Sequence, residues 1–255
     1  MRVWRELGLS LPIVCGIRGS MKTLEGKVAL ITGASQGIGA ALAQAYAGDG
    51  AQVVMVARSV ERMEQIDDLI RAEGGKPAVI VPCDLLEMDL IDAIGPNLLE
   101  RFGKLDILVG NAAMLGNLGP LTHMEPKTWQ KVMDLNVTAN YRLLRICEPL
   151  LKLSETGGRV MMVTSSVGQK AAPYWGAYKV SKSALDAMVQ MVAAEWNETK
   201  LRINAVNPGA TCTAMRAKAM PGEDPEMIKK PEEVVHLFLE LANDFDTRNG
   251  EIINA

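Results

Sequence analysis

The sequence is poor in the residues that build metal sites and disulfide frameworks. Only two histidines, His123 and His236, occur in 255 residues, and the four cysteines (Cys15, Cys83, Cys147 and Cys212) lie far apart with no CxxC pair. Such a set predicts neither a metal cluster nor a disulfide scaffold, and it suits a reducing cytoplasm. Positive charge is not in excess either: 27 Lys and Arg face 30 Asp and Glu, a formal net charge of −3. That balance leaves no basic footprint for nucleic acid. The apolar run near the start is too short to span a bilayer, so no membrane partner is expected. Linkers, repeats and low-complexity stretches are missing as well. In residues 1–20, two arginines precede LGLSLPIVCGI, a pattern near that of a signal peptide. Glu6, Pro12 and the lack of an A-x-A site argue against one. MKTLEGKVALITG, from Met21, reads as the start of the fold. Residues 1–20 are therefore set aside as a disordered extension, and one domain is expected over 21–255.

What is present is alternation. The 48% hydrophobic content suffices for one well-buried α/β domain. Apolar runs at 27–32, 51–57, 78–82, 105–110, 158–164, 201–207 and 250–254 read as strands. Their near-continuous apolar character predicts a parallel sheet of about seven strands, buried on both faces. Helices are expected between them at 37–48, 60–73, 87–102, 126–153, 175–198 and 231–243. Strict βα alternation implies right-handed crossovers and a doubly wound, Rossmann-like sheet. Ligands then belong beyond the carboxyl ends of the strands.

The first strand runs into TGASQGIGAALAQAY, which places Gly33, Gly37 and Gly39 at a strand-to-helix turn. Glycines there let the backbone approach a ligand, and the helix N-terminus offers free N–H groups to a pyrophosphate. After the second strand, MVARSVER has no acid to bind a ribose 2′-hydroxyl, and Arg58 could pair with a 2′-phosphate instead. Both features predict NADP(H) over NAD(H). Asp84, after strand three, either accepts from an adenine amino group or caps the following helix. The small residues of GNAAM, 110–114, would let the chain pass close to a cofactor.

Taken together, TGxxxGIG at Thr32–Gly39, Asp84–Leu85, a variant of NNAG at 110–113, Asn136 in MDLNVTAN, Ser165 in VTSSVG, YxxxK at 178–182 and NPG at 207–209 occur in order. With them the chain resembles the short-chain dehydrogenase/reductase family in its single-domain form, from Lys22 to about Ala242. The resemblance implies that Tyr178 is the catalytic acid/base and that Lys182 binds the nicotinamide ribose and lowers the tyrosine pKa. It implies that Ser165, thirteen residues before Tyr178, orients the substrate carbonyl, with Ser166 the alternative. Asn136 would hold a water of the proton relay. Cofactor contacts are implied for Gly33, Ser35, Gln36, Gly37, Ile38 and Gly39, for Arg58, Asp84, Leu85, Asn111 and Ala112, and for Tyr178 and Lys182. Pro208, Gly209, Thr211 and Thr213 complete that set. Gly110 and Ala113 depart from NNAG, and losing the first Asn removes a hydrogen bond that braces the sheet. Gln36 stands where many NADP-preferring members carry a basic residue.

The chemistry has a physical rationale. A phenol of pKa about 10 releases its proton reluctantly at neutral pH, and a nearby ammonium makes that easier. Lys182, one helical turn away, supplies the ammonium, while Ser165 can donate to the same carbonyl oxygen. Met114, Leu115, Tyr174, Trp175, Thr211, Met215 and Met220 are expected to wall the substrate side. The expected activity is reduction of a small-molecule carbonyl or the reverse alcohol oxidation. A 3-oxoacyl thioester reductase, a dehydratase or epimerase, and a non-catalytic dinucleotide sensor are the alternatives. Long helices at 126–153 and 175–198 suggest a homodimer or homotetramer.

Overall fold

VALIT and QVVMVA form the first two strands, β1 (Val28–Thr32) and β2 (Gln52–Ala57), and every residue in them except Gln52 is buried. Their branched and aliphatic side chains suit a pleated surface covered on both faces. The computed structural model describes residues 22–255, so the expected extension over 1–20 lies outside the described residues. Helix α1 (Gly37–Gly48) joins these strands, and α2 (Val60–Ala72), β3 (Val79–Pro82), α3 (Met88–Phe102) and β4 (Ile107–Gly110) complete the first half. The second half runs α4 (Pro126–Met133), α5 (Ala139–Leu151), β5 (Arg159–Val163), α6 (Ser166–Gln169), α7 (Gly176–Glu195) and β6 (Arg202–Asn207). It ends with α8 (Ala214–Ala219), α9 (Val235–Ala242) and β7 (Ile252–Asn254).

Among the described residues seven strands form one parallel sheet, in the order β3-β2-β1-β4-β5-β6-β7. Leu30 pairs with Val54 on one side and Leu108 on the other, so β1 lies at the centre. Two cores sandwich the sheet. One packs α1, α2 and α9 through Leu42, Tyr46, Ile66 and Phe238; the other packs α3, α5 and α7 through Ile91, Leu143 and Leu185. The order reverses between β1 and β4, and at such a switch point the helices diverge and leave a crevice above the carboxyl strand ends.

The amino-terminal end of the sheet is closed by polar contacts. Asp106 accepts from Val28 N–H at 2.8 Å and from Ser154 Oγ at 2.6 Å, and Arg159 Nη2 donates to Asp244 O at 2.9 Å. The carboxyl ends are the open side.

Two helices differ from expectation. The helix expected over 126–153 is two, α4 and α5, joined by one wide π turn at Asp134–Thr138. Asn136, 0% exposed at the centre of that turn, spends its side chain on neighbours outside the helix. The helix expected over 231–243 begins as a 3₁₀ turn at Pro231–Val234, where proline contributes no amide, and becomes α9 only at Val235. Among the described residues, no helix is long and apolar enough to cross a membrane.

Candidate active site

The glycine turn between β1 and α1 is held by the side chains around it. Thr32 Oγ donates to Val109 O at 3.2 Å and accepts from the N–H groups of Asn111 and Ala112, both at 3.0 Å. Asn111 Nδ2 donates to Thr32 O at 2.9 Å. These bonds lock the first loop to the end of β4. They brace the centre of the sheet beside Gly110. A Cβ at Gly110 would lie 2.3 Å from Met162 Sδ and 2.6 Å from Asn140 Oδ1, so those side chains occupy the space an asparagine would need.

Gly37 has φ +56°, and a Cβ there would approach Thr213 Cγ2 to 3.2 Å. A side chain would be strained and would narrow the cleft. The N-cap Gln36 makes no side-chain capping bond to α1, and no acid lies in its first turn. The first amides of α1 therefore remain available to an anion. Gly39 plays a different part. A Cβ at Gly39 would lie 2.4 Å from Gly33 O, so this glycine permits close packing of helix on turn and does not itself face the cleft.

Above the strand ends lies one cavity of about 660 Å³. Of the expected cofactor residues, Gly33, Ser35, Gln36, Gly37, Ile38, Arg58, Asp84, Leu85, Asn111 and Ala112 line it. Pro208, Gly209, Thr211 and Thr213 line it as well, together with Ser165, Tyr178 and Lys182. The donor set, an uncapped helix N-terminus with cations at one end and a phenol with an amine at the other, fits a dinucleotide.

At the adenosine end, Arg58 is 76% exposed in its side chain and sits 3.8 Å from Asp84 Oδ2. Asp84 Oδ1 accepts from Leu86 N–H at 3.1 Å, within the turn before α3; the helix N-cap is Glu87. The helix-capping alternative for Asp84 thus becomes a turn contact. Two residues that sequence reasoning passed over join this end. Arg62, in the first turn of α2, donates to Gln36 Oε1 at 2.7 Å and lines the cavity beside Arg58. Ser59 makes no capping bond with its hydroxyl and lines it too. The repeat of arginine at four-residue spacing after β2 was the available signal.

The other end is built on α7. Tyr178 and Lys182 are 7% and 2% exposed, one turn apart, and Lys182 Nζ lies 5.6 Å from the tyrosine ring centre. Lys182 Nζ donates to Val163 O at 2.7 Å, which pins the amine to the end of β5. Burial lowers the Lys182 pKa to about 8, and the Asp186 carboxylate opposes that shift. For Tyr178 the balance differs from the expected lowering. Burial raises its pKa, and the Ser165 hydroxyl offsets only part of the rise. A phenolate in this dry wall loses more hydration than its polar neighbours restore.

Leu115, Val167 and Tyr178 form a small apolar cluster with Trp175, Met215 and Ala219 packed on it. The Trp175 and Tyr178 rings stand 6.0 Å apart. Two expected wall residues do not belong. Tyr174 is 67% exposed at φ +69°, its carbonyl accepting from Gly119 N–H, and Met220 lies at the surface beyond α8, where Ala219 takes its place. Asn136 also stays off the cavity wall. Its Oδ1 accepts from Met114 N–H at 2.8 Å, and its Nδ2 donates to Met114 O at 3.0 Å and Ser181 Oγ at 2.9 Å.

Comparison with known proteins agrees with this architecture. The family model described as short chain dehydrogenase matches residues 27–224. The chain is 37% identical over 227 residues to the uncharacterized oxidoreductase YciK of Escherichia coli K12, covering 88% of this chain and 89% of that one. It superposes with a TM-score of 0.88 on a short chain dehydrogenase of Shigella flexneri 2a complexed with NADP, at 35% identity over 92% of this chain and 98% of that one. A short chain dehydrogenase of Escherichia coli CFT073 complexed with NADPH gives the same TM-score, identity and coverage.

Proposed function

The chain belongs to the short-chain dehydrogenase family of oxidoreductases, and from that premise we propose that it reduces a carbonyl with NADPH, or oxidises the matching alcohol with NADP, using Tyr178 as acid/base. One observation carries the reading. Ser165, Tyr178 and Lys182 share the cavity whose far end holds the uncapped α1 and two arginines. A nicotinamide held in this cavity would supply the hydride in reduction and accept it in oxidation. Tyr178 Oη gives its proton to the carbonyl oxygen in reduction and takes it back in oxidation. Ser165 Oγ donates to the same oxygen and holds it beside Tyr178. Lys182, as the ammonium, favours the phenolate and would hold the nicotinamide ribose. Trp175, Leu115 and Met215 keep water from the reacting carbon. A screen of NADPH oxidation over ketones, aldehydes, quinones and 3-oxoacyl thioesters tests the reading, with Tyr178→Phe as control. Failure of every carbonyl class would refute it.

The preference for NADPH rests on Arg58 and Arg62, with Gln36 holding the second guanidinium at the loop and Ser59 offering a hydroxyl between them. Both arginines are solvent-accessible, so screening limits each contact. Arg58→Ala and Arg62→Ala are each expected to weaken NADPH about tenfold while changing NADH little. Titration of protein fluorescence with both nucleotides checks this, and equal losses for the two would remove the arginines from the 2′-phosphate site. We further propose self-association through α5 and α7, supported by exposed Tyr141 and Met191 on those helices. Light scattering behind a sizing column reads the mass directly. Among the described residues Cys83, Cys147 and Cys212 are free thiols, which supports the reading of a reducing compartment.

A further inference from the structure

Beyond Lys182 the same face of α7 carries another ionisable side chain. Tyr178, Lys182 and Asp186 follow at four-residue spacing, so the three lie along one side of the helix. Asp186 is 7% exposed. A carboxylate is costly to bury unless it is paired or hydrogen-bonded. Yet Asp186 Oδ1 has no hydrogen-bond partner among the described residues, and neither has the buried hydroxyl of Thr164. Asp186 also sits close to the reacting residues. A Cβ added at Gly168 would lie 3.1 Å from both Asp186 Oδ2 and Lys182 Cβ. Gly168 N–H donates to Ser165 O at 2.9 Å, so the turn carrying Ser165 rests against both side chains. The acceptor of Lys182 Nζ is the neutral carbonyl of Val163, and the carboxylate whose charge acts on the amine is Asp186.

We propose that Asp186 is a positioning residue, a buried counter-charge one turn behind Lys182 that keeps the lysine in its ammonium form. The inference rests on the reading of Lys182 given above. Burial drives the amine toward neutrality and Asp186 opposes it. Burial likewise raises the Asp186 pKa, while the charges of Lys182 and Lys179 hold it down, and the Thr164 hydroxyl lies near it without a hydrogen bond of good geometry. Lys179 Nζ donates to Gly168 O at 3.3 Å and Ser183 Oγ at 3.2 Å. The other elements packed on α7 bring little charge to this spot. Helix α6 has no titratable side chain, and Lys127 and Lys131 of α4 are exposed. Asp134 of the π turn accepts from Gln130, and Arg202 of β6 donates to Thr199 O at the start of its strand.

The test reads Lys182 without cofactor or substrate. With lysine carrying ¹³C at Cε, the Lys182 resonance is identified by its loss in Lys182→Met and followed against pH. In Asp186→Asn the midpoint should move down, the acid dissociation constant rising about tenfold. Asp186→Glu should keep the midpoint near that of the unaltered protein. In steady-state assays the alkaline fall of kcat for carbonyl reduction should move down with it. Asp186→Ser serves if Asp186→Asn does not fold. A folded, uncharged variant with an unmoved Lys182 midpoint would overturn the proposal. Turnover surviving in Tyr178→Phe would instead refute the proposed reaction, and the Lys182 midpoint would still decide the role of Asp186.

Discussion

Tyr178→Phe is expected to lower turnover roughly a thousandfold while leaving NADPH binding and stability nearly unchanged. The ring stays, so the packing against Trp175 at 6.0 Å and within the Leu115 and Val167 cluster stays with it. What goes is a proton donor with no substitute nearby. Lys182 Nζ is committed to Val163 O, and the serine hydroxyl of Ser165 is a far weaker acid than a phenol. The pH profile adds a second readout. Because the Tyr178 pKa is raised, the phenol keeps its proton at neutral pH and is ready for carbonyl reduction. Alcohol oxidation needs the phenolate, so its rate should climb with pH above neutrality. Reduction should hold and then fall as Lys182 loses its proton near pH 8. Stopped assays in both directions from pH 6 to 10 check the signs. Retained turnover in Tyr178→Phe would remove the phenol from the mechanism.

The sheet and the location of the cleft were legible because each rests on local pattern. VALIT, QVVMVA and RVMMV can satisfy their apolar side chains only between two layers of helix. The glycines at 33, 37 and 39 read as a ligand turn because a helix opens directly behind them. What stayed hidden depends on partners distant in sequence. The fit of Gly110 against Met162 and Asn140, the bond from Arg62 to Gln36, and the burial of Asp186 beside Thr164 are tertiary facts. Tyr174 and Met220 looked like wall because they flank true wall residues. A positive φ at Tyr174 and the end of α8 after Ala219 turn both side chains away. The bonding of Asn136 within the π turn is tertiary as well, since its partners Met114 and Ser181 lie far from it in sequence.

That bonding sets the second large expectation. Asn136→Ala should destabilise the fold by about 3 kcal/mol or more, because it leaves buried polar groups without partners. Met114 N–H and C=O would lose their bonds of 2.8 and 3.0 Å, and Ser181 Oγ the donor at 2.9 Å. Ser181 Oγ in turn donates to Tyr178 O at 2.8 Å, so the damage runs from the Met114 loop through the π turn to the helix carrying the phenol. Turnover should fall too, since Met114 lines the cavity and Tyr178 would lose part of its backing. The contrast with Tyr178→Phe separates two roles. A residue that only held a relay water would cost activity and leave stability alone. A lower urea midpoint at unchanged slope, together with lost turnover, identifies Asn136 as the strut of the site. An unshifted midpoint would leave it only the relay. Because the asparagine side chain already makes three bonds to protein atoms, and its carbonyl accepts from Asn140 Nδ2 at 2.9 Å, the structure favours the strut.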